Sequence, residues 1–363
     1  MQKNCDIIIP VHNQLEHTKI CIESIWANTE PFYRIIVVDD CSSKESSDYL
    51  DKLAESGKIL ISRNNVNLGW VGSVNNGLKL AKAEYVCVMN NDTRVFPGWL
   101  FEMINLARLN KSIGLVNPCW ELPRFWPFDF ERYFKKMIVK HKGEFVETDW
   151  VRGFCFLIKK EVIEKIGGLN ELFAPGYFDD WDYSLRAVKA GFIPVRASGA
   201  FVWHFGNVTY KEKIGNKGMN ERFNEKKVIF EKKWGKPLRI LFLFETVNKK
   251  HLNQVSDFVF RLLRSQNKLV IITNVLGFSL KHTNCEIKKF PGFFMKILAL
   301  AHIFSNFKRA LSKRYDIILC SSDMKSFLEG FTYIGNNFSF LVLNSGLDNE
   351  KEIFMEIERL KRK

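Results

Sequence analysis

Three polar residues at the end of an apolar run carry the strongest chemical signal in the chain. Residues 86–89 have the composition of a buried strand, and Asn90, Asn91 and Asp92 follow directly. Parallel strands are buried, so polar residues at their carboxyl ends lie in the crevice where α/β proteins bind ligands. A carboxylate flanked by amides suits a hard divalent cation and the diphosphate that it bridges. An Asn/Asp turn explains the same residues equally well.

Two further segments are candidates for binding the rest of a nucleotide. Asp39 and Asp40 end another predicted strand, where a carboxylate can accept hydrogen bonds from a nucleobase imide or from ribose hydroxyls; a helix cap before Ser42 is the alternative. Small residues and amides in segment 64–77 would let the backbone approach a diphosphate at the start of a helix. The polar and small residues of this segment are Asn64, Asn65, Asn67, Gly69, Ser73, Asn75, Asn76 and Gly77.

An acidic cluster supplies a candidate general base. Asp179, Asp180 and Asp182 lie at the start of a predicted helix that ends at Gly191, and the helix dipole offsets part of their repulsion. Asp179 and Asp182 share a face, whereas Asp180 points elsewhere. A negative cluster beside aromatic residues such as Trp181 is typical of a tuned base, although a solvated acidic helix start is also consistent with it.

His204 is a candidate cation ligand. It follows a predicted strand end at residues 200–203, and a neutral imidazole there could complete a metal site with Asp92. A single histidine after an apolar run is more often structural, so this assignment depends on what lies beside it in the fold.

The elements that would position these residues alternate regularly. Strands are predicted over residues 6–11, 34–38, 58–62 and 84–89, and helices over 14–27, 46–56 and 71–83. This rhythm predicts an α/β fold with a parallel sheet and right-handed crossovers. A further strand is predicted over 153–159 and a helix over 161–166. Residues 118–150 have no clean period, and we expect an irregular excursion that contacts the acceptor.

A second, smaller domain is predicted after residue 236. Strands over 238–244, 269–273, 317–320 and 338–343 and helices over 253–265 and 351–360 indicate a Rossmann-like α/β unit. We therefore expect domains at 1–236 and 237–363. Segment 293–307 is predicted to be a core helix in preference to an interfacial membrane helix, because Lys296 and His302 interrupt its apolar face.

Composition narrows the classes of partner. The net charge is +14, and the region from residue 237 onward carries +9 of it (20 Lys+Arg less 11 Asp+Glu). No nucleic-acid-binding signature accompanies this charge, so phosphorylated sugars or anionic lipid are favoured and nucleic acid is not. Eight cysteines without a C-x-x-C pair indicate reduced thiols. No signal peptide or span of about 20 apolar residues is evident, so we expect a cytoplasmic protein, with contact at the inner membrane face left open.

The motifs together resemble family 2 glycosyltransferases of GT-A fold, in the rhamnosyltransferase-like subgroup. The similar segments, in order, are IIIPVHN at 7–13, VVDDCS at 37–42, NLG at 67–69, MNNDT at 89–93, FPGWL at 96–100, GGLNE at 167–171 and FDDWD at 178–182. The resemblance covers roughly residues 4–236.

The resemblance implies a nucleotide-diphospho-sugar donor, a divalent cation (Mn²⁺ or Mg²⁺) and inversion at the anomeric carbon. Asp39 resembles the base-recognising aspartate, Asp180 the catalytic base, and Asp92 and His204 the metal-binding pair. Asp179, Trp181 and Asp182 are assigned to the acceptor side or to support. The implied donor-binding residues are Pro10, His12, Asn13, Asp39, Asn67, Gly69, Asn75, Asn90 and Asn91.

Three positions depart from the family pattern. Asn90 replaces the first aspartate of the D-x-D motif, so one anionic contact to the cation is lost. Asp179 replaces a more usual glutamate, and Asn170 replaces a common aspartate. The first departure bears on metal affinity and leaves the reaction class unchanged.

The C-terminal region resembles part of the N-terminal half of a GT-B glycosyltransferase, over residues 238–244, 253–258 and 315–320. The half that would bind nucleotide has no counterpart in the sequence. We therefore expect this domain to bind acceptor, to dimerise or to dock to a partner, and not to catalyse a second transfer.

The expected function is transfer of a sugar from a UDP- or dTDP-linked donor to a hydroxyl of a glycan, a lipid-linked glycan or a protein. The alternative is a weak or inactive glycosyltransferase-like module that binds glycan or protein, which Asn90 and the partial C-terminal domain motivate. Nucleotidyl transfer is disfavoured because no Gly-rich basic loop follows the first strand.

Overall fold

The computed structural model describes residues 4–120, 129–206, 208–245, 249–307, 314–329, 339–343 and 348–362. The chain divides into two units, one up to Phe230 and the other from Glu231 onward. Each unit contains its own sheet with helices between the strands, so the predicted α/β class with a second sheet in the C-terminal part is confirmed.

The first unit alternates strands and helices over most of its length. Its strands are β1 (Cys5–Val11), β2 (Tyr33–Asp39), β3 (Leu60–Arg63), β4 (Tyr85–Met89), β5 (Thr93–Val95), β6 (Ile113–Cys119), β7 (Phe145–Glu147), β8 (Cys155–Lys159) and β9 (Ile193–His204). Its helices are α1 (Leu15–Asn28), α2 (Lys44–Glu55), α3 (Gly69–Leu80), α4 (Trp99–Leu109), α5 (Phe130–Lys140), α6 (Lys160–Ile166), α7 (Asp179–Lys189) and α8 (Val208–Trp234).

The sheet of the first unit has the order β3-β2-β1-β4-β8-β6-β9-β5, with β7 pairing β9. The four strands β3, β2, β1 and β4 are parallel, as predicted. Alternate residues of β1 enter different cores: Ile7 and Ile9 pack on one face of the sheet, and Ile8 packs on the other. Helices therefore cover both faces, and the carboxyl ends of these strands are left for polar residues. Strand β8 breaks the pattern because it runs antiparallel to β4.

The expectation of an irregular excursion over residues 118–150 is wrong in part. Helix α5 and strand β7 form inside this segment. The Phe134 ring of α5 stacks on Phe201 of β9 with centroids 3.7 Å apart and also contacts Phe96. Few residues carry this apolar contact and lysines surround them, so the helical period is weak in the sequence. Residues 121–128 lie outside the described part.

The second unit has a five-stranded, fully parallel sheet. Its strands are β10 (Arg239–Phe244), β11 (Lys268–Thr273), β12 (Cys285–Lys289), β13 (Ile317–Cys320) and β14 (Ser339–Val342), in the order β12-β11-β10-β13-β14. The described helices are α9 (Lys249–Arg264), α10 (Gly292–Phe307), α11 (Ser322–Glu329) and α12 (Glu350–Lys361). The order is 3-2-1-4-5, which matches five of the six strands of the classic Rossmann order 3-2-1-4-5-6.

Helix α10 packs one face into the core of the second unit. Met295, Ala299 and Ile303 are fully buried at a spacing of four residues, whereas Phe294 and Ile297 are exposed. Segment 293–307 thus packs as the sequence predicts. Among the helices that the structure describes, none is both long and apolar enough to cross a bilayer.

Candidate functional site

The turn after β4 lies beside the end of β9. Thr93 of β5 pairs with His204 in an antiparallel ladder, and the Phe205 N–H donates to the Asp92 carbonyl oxygen (3.0 Å). His204 Nε2 thereby lies 3.2 Å from Asp92 Oδ1 and 3.2 Å from the side-chain amide nitrogen of Asn90. Three residues predicted from distant parts of the sequence are thus brought together; we call them the cation site (Asn90, Asp92 and His204).

The donor set of the cation site fits a divalent ion. Asp92 Oδ1 is buried and accepts no hydrogen bond of suitable geometry, although His204 lies within ion-pair distance. A buried carboxylate oxygen without a donor is costly unless a cation approaches it. Within the described residues no three His, Cys, Asp or Glu side chains converge as metal ligands. A bound cation would therefore need oxygens from the Asn90 amide, from water or from a diphosphate.

Asn91 supports the turn from inside. Its buried side-chain amide donates to Thr18 Oγ1 of α1 at 2.9 Å. This hydrogen bond holds the polar turn against α1, and the contact of Asn91 with the donor stays a prediction.

The residues that follow β1 bind the end of β2. The Asn13 N–H donates to Ser42 Oγ (3.0 Å), and His12 Nδ1 lies 2.9 Å from the Asp40 carbonyl oxygen. Pro10 is buried within β1. These three predicted donor-binding residues shape the loop beside Asp39.

Asp39 keeps capacity for a ligand. Its carboxylate accepts the Ser42 N–H (3.0 Å) and the Arg63 Nε–H (3.0 Å). A carboxylate has about four acceptor positions, so these two bonds leave room for a nucleobase imide. The ion pair with Arg63 also fixes the orientation of the carboxylate.

Asp40, which the list of implied donor-binding residues leaves out, positions the backbone of a neighbouring segment. Its buried carboxylate accepts the N–H groups of Leu68 and Gly69 and the side-chain amide of Asn64, each at 2.8 Å. These bonds fix the start of α3 to the end of β2. In the sequence, this role was indicated only by a second aspartate after Asp39 and by the amide-rich segment 64–77 downstream of it.

Gly69 and Asn75 pack α3 against a neighbouring segment. The backbone of Gly69 has φ of +71°, and a Cβ there would lie 2.4 Å from Pro175 Cβ. The Asn75 amide donates to the Leu169 carbonyl (3.0 Å) and accepts the Leu169 N–H (2.8 Å). Both residues therefore have a role in the packing of α3 against segment 169–175, and their contact with the donor stays a prediction. Asn67 likewise lies 3.4 Å from a backbone oxygen, that of Asp40.

The acidic start of α7 separates into three environments. Asp179 is buried and accepts the Trp70 indole N–H at 2.9 Å, and Asp182 is buried and ion-paired to Arg186 at 2.9 Å. Asp180 is only partly buried. Asp179 and Asp182 thus share the buried face of α7, as predicted. Asp180 lies off that face, and a substrate can reach its carboxylate.

The pKa values follow from these environments. Burial raises the pKa of Asp179 to about 8, and the charge of Asp180 adds to the shift. Burial also raises the pKa of Asp180, against the opposing effects of the Gly153 and Trp181 N–H groups and of the Arg152 charge. Burial therefore favours the protonated form of both carboxyl groups, whereas the two N–H donors and the Arg152 charge favour the ionised form of Asp180.

A short segment that sequence reasoning missed connects Asp180 to the cation site. We call residues 152–154 the bridging loop. The Gly153 N–H donates to Asp180 Oδ2 (2.8 Å), and the Phe154 carbonyl accepts the Asn90 N–H (2.8 Å). The buried Asn117 amide holds the loop from behind, because it donates to the Arg152 carbonyl at 3.1 Å. In the sequence, the only indication of this loop was Gly153, at the start of the strand predicted over 153–159.

Aromatic rings flank the base. Trp181 stacks on Trp150 with centroids 4.3 Å apart and also packs on Phe230 at 4.8 Å. The Phe154 ring stacks on His204 at 5.0 Å. Rings on both sides limit the orientations of a bound molecule, and their apolar surface suits the C–H faces of a sugar.

Comparisons with known proteins find a match within the first unit. Residues 6–167 match the family described as Glycosyl transferase family 2. The matched segment includes Asp39, the Asn90–Asp92 turn and the bridging loop, and it ends before Asp180 and His204.

Three similar proteins illustrate the range of the matches. An uncharacterized protein of Mycobacterium tuberculosis is 26% identical over 226 residues, 58% of this chain and 77% of that protein. The poly(ribitol-phosphate) beta-glucosyltransferase of Bacillus spizizenii is 31% identical over 110 residues, 29% of this chain and 17% of that enzyme. The mannosyltransferase PcManGT of Pyrobaculum calidifontis, solved with GDP-Man and Mn²⁺, aligns with a TM-score of 0.47 at 16% identity, over 63% of this chain and 65% of its own.

The raised pKa of Asp179 predicts a pH dependence of stability. The folded pKa of about 8 exceeds the unfolded value of about 3.9, so the stabilisation is complete below about pH 4 and is lost as the pH rises to 8. The free energy of unfolding should fall between pH 5 and 8, with a slope approaching about 1.4 kcal/mol per pH unit. Asp179→Asn, which keeps an acceptor for Trp70, should remove this slope in denaturation measurements.

The exposed Asp48 of α2 provides a control for this test. Its side chain is 51% exposed, and Asp48→Asn should leave the slope as in wild type. An Asp179→Asn protein with the full wild-type slope would show that Asp179 is ionised in the folded state.

Proposed function

We propose that this glycosyltransferase family 2 domain, with the rest of the first unit, transfers a sugar from a UDP- or dTDP-linked donor to an acceptor hydroxyl with inversion. One observation carries the proposal: the bridging loop holds a partly exposed carboxylate, Asp180, and the cation site at its two ends. A base and a leaving-group site joined by one short loop suit an in-line displacement. We propose a glycan, a lipid-linked glycan or a protein as the source of the hydroxyl.

The proposed reaction is a single displacement. Asp180 takes the proton of the acceptor hydroxyl while the hydroxyl oxygen attacks the anomeric carbon of the donor. The bond from that carbon to the diphosphate oxygen breaks in the same step. The nucleoside diphosphate leaves from the opposite face, so the configuration inverts. Two N–H groups hold the Asp180 oxygens, from Gly153 and Trp181, and limit the rotation of the base.

The cation site would hold Mn²⁺ or Mg²⁺ through Asp92 and His204, with the Asn90 amide as a weaker ligand. When bound, such an ion supplies positive charge to the leaving diphosphate. Support comes from the Asp92 oxygen that lacks a hydrogen-bond donor. Asp39 would bind the base of the nucleotide.

We propose that the second unit does not catalyse transfer. Its parallel sheet forms a single Rossmann-like domain, and a GT-B enzyme requires two such domains. Binding of acceptor, of a partner or of a second copy of the chain is the role that remains for it.

A binding module is the second candidate function. Asn90 in place of an acidic ligand favours it, because the described residues offer the cation only two strong ligands. The discriminating observation is hydrolysis of UDP- and dTDP-sugars by the purified protein with Mn²⁺, since a pure binder turns over no donor.

Asp180→Asn tests the base. The variant should lose about 10²–10⁴-fold in turnover, the usual contribution of general-base catalysis, while donor affinity stays within a few-fold of wild type. Glu171→Gln is the control. Glu171 is exposed and lies before α7 in the sequence, and this variant should retain activity. Near-normal turnover by Asp180→Asn would exclude Asp180 as the base.

Asp92→Ala tests the cation site. Calorimetric titration with UDP should show that Mn²⁺ strengthens binding to wild type and has little effect on the variant, because the main anionic ligand is gone. Donor binding without the metal should be similar in both proteins. An equal effect of Mn²⁺ on both would remove Asp92 from the metal assignment.

A further inference from the structure

Arg152 of the bridging loop is an exposed cation beside the base. Its guanidinium carbon lies 4.5 Å from the ring centroid of Trp150 and 5.5 Å from that of Trp120. Asn117 fixes the Arg152 backbone, and the next residue, Gly153, binds Asp180. The position of the cation relative to the base is therefore set by a held backbone segment and two large rings.

Arg152 forms no direct ion pair within the described part of the fold, and its charge acts on Asp180 without such a contact. No described carboxylate lies within ion-pair distance of it, whereas Arg63 and Arg186 each pair with a buried aspartate. A guanidinium placed over aromatic rings keeps N–H groups at its edge, in a fork that matches phosphate oxygens. Stacking also reduces the entropy lost when such an anion binds.

A second guanidinium lies at the same ring. The Arg196 guanidinium carbon lies 5.4 Å from the Trp120 centroid, so two basic side chains pack on this indole. The hydroxyl groups of a neutral sugar need no positive charge, so a cation beside the base suits an anionic group on a bound molecule.

We propose that Arg152 binds a phosphate group carried by the acceptor. The inference rests on the proposed function, and it names the class of acceptor: a glycan or polyol that has a phosphate close to the hydroxyl attacked. The acceptor side is favoured over the donor because the bridging loop places Arg152 next to Asp180, which touches the acceptor hydroxyl. A sugar linked to a lipid diphosphate and a polyol phosphate chain share this chemistry.

Calorimetry with three probes tests the anion site without turnover. The probes are a short-chain prenyl-diphosphate sugar, a glycerol-phosphate oligomer and a neutral alkyl glycoside, each added to the full chain in the presence of UDP and Mn²⁺. Wild type should bind at least one phosphorylated probe, and the one bound identifies the source. Arg152→Gln should weaken that binding roughly 10- to 100-fold, the value of a charge-assisted hydrogen-bond pair, and Arg152→Lys should restore part of it.

Arg108→Gln is the matched control. Arg108 is exposed in the last turn of α4 with its guanidinium carbon 5.7 Å from the Tyr85 ring, so the same change removes a stacked cation elsewhere. It should leave binding of every probe unchanged. In transfer assays Arg152→Gln should raise KM for the phosphorylated acceptor more than it lowers kcat.

The outcomes separate this inference from the proposed function. Arg152-dependent binding of a phosphorylated probe by a protein that never hydrolyses donor would support the anion site and reject the transferase. Failure of wild type to bind either phosphorylated probe would overturn the inference, as would equal loss of neutral and phosphorylated probes. A raised KM for the donor alone in Arg152→Gln would assign the residue to the donor diphosphate and also overturn it.

Discussion

Two backbone hydrogen bonds of the bridging loop determine the geometry of the whole site. The Phe154 carbonyl accepts the Asn90 N–H, and the Gly153 N–H donates to Asp180, both at 2.8 Å. Since β8 pairs with β4, the loop that enters β8 has to pass beside the turn that leaves β4. The distance between the base and the cation site is consequently set by main-chain geometry, and side-chain rotamers change it little. This constraint gives the site rigidity before any substrate binds.

The reversal of strand direction at β8 is what makes this arrangement possible. Parallel strands β1, β2 and β4 present their carboxyl ends, with Asp39 and Asn90, at one edge of the sheet. An antiparallel β8 brings its amino end to the same edge, so the start of a strand and the ends of others meet there. The pairing of β5 with the end of β9 adds His204 to the edge. A purely parallel sheet would have placed the bridging loop on the opposite side.

Local sequence patterns were sufficient for part of this picture. The alternation of apolar runs predicted the parallel strands and the polar residues at their ends, and helical spacing correctly separated Asp180 from Asp179 on α7. The bridging loop was not predictable, because its role depends on the pairing of β8 with β4, which are distant in the chain. The packing roles of Asn75 and Gly69 were not predictable either, because an amide or a glycine near a helix start serves a ligand or a packed neighbour equally well. Only tertiary structure shows which.

The electrostatics of the site reconcile two opposing demands. A general base needs negative charge, whereas an anionic substrate is repelled by it, and three carboxylates within four residues would make the repulsion severe. Asp182 is paired with Arg186, and burial raises the pKa of Asp179 to about 8, so Asp180 is the one of these three carboxylates that is neither ion-paired nor fully buried. The Arg152 charge opposes the rise that burial causes in the pKa of Asp180, without forming an ion pair that would block the base. The same guanidinium therefore favours both the approach of a phosphate and the ionised form of Asp180 that accepts a proton.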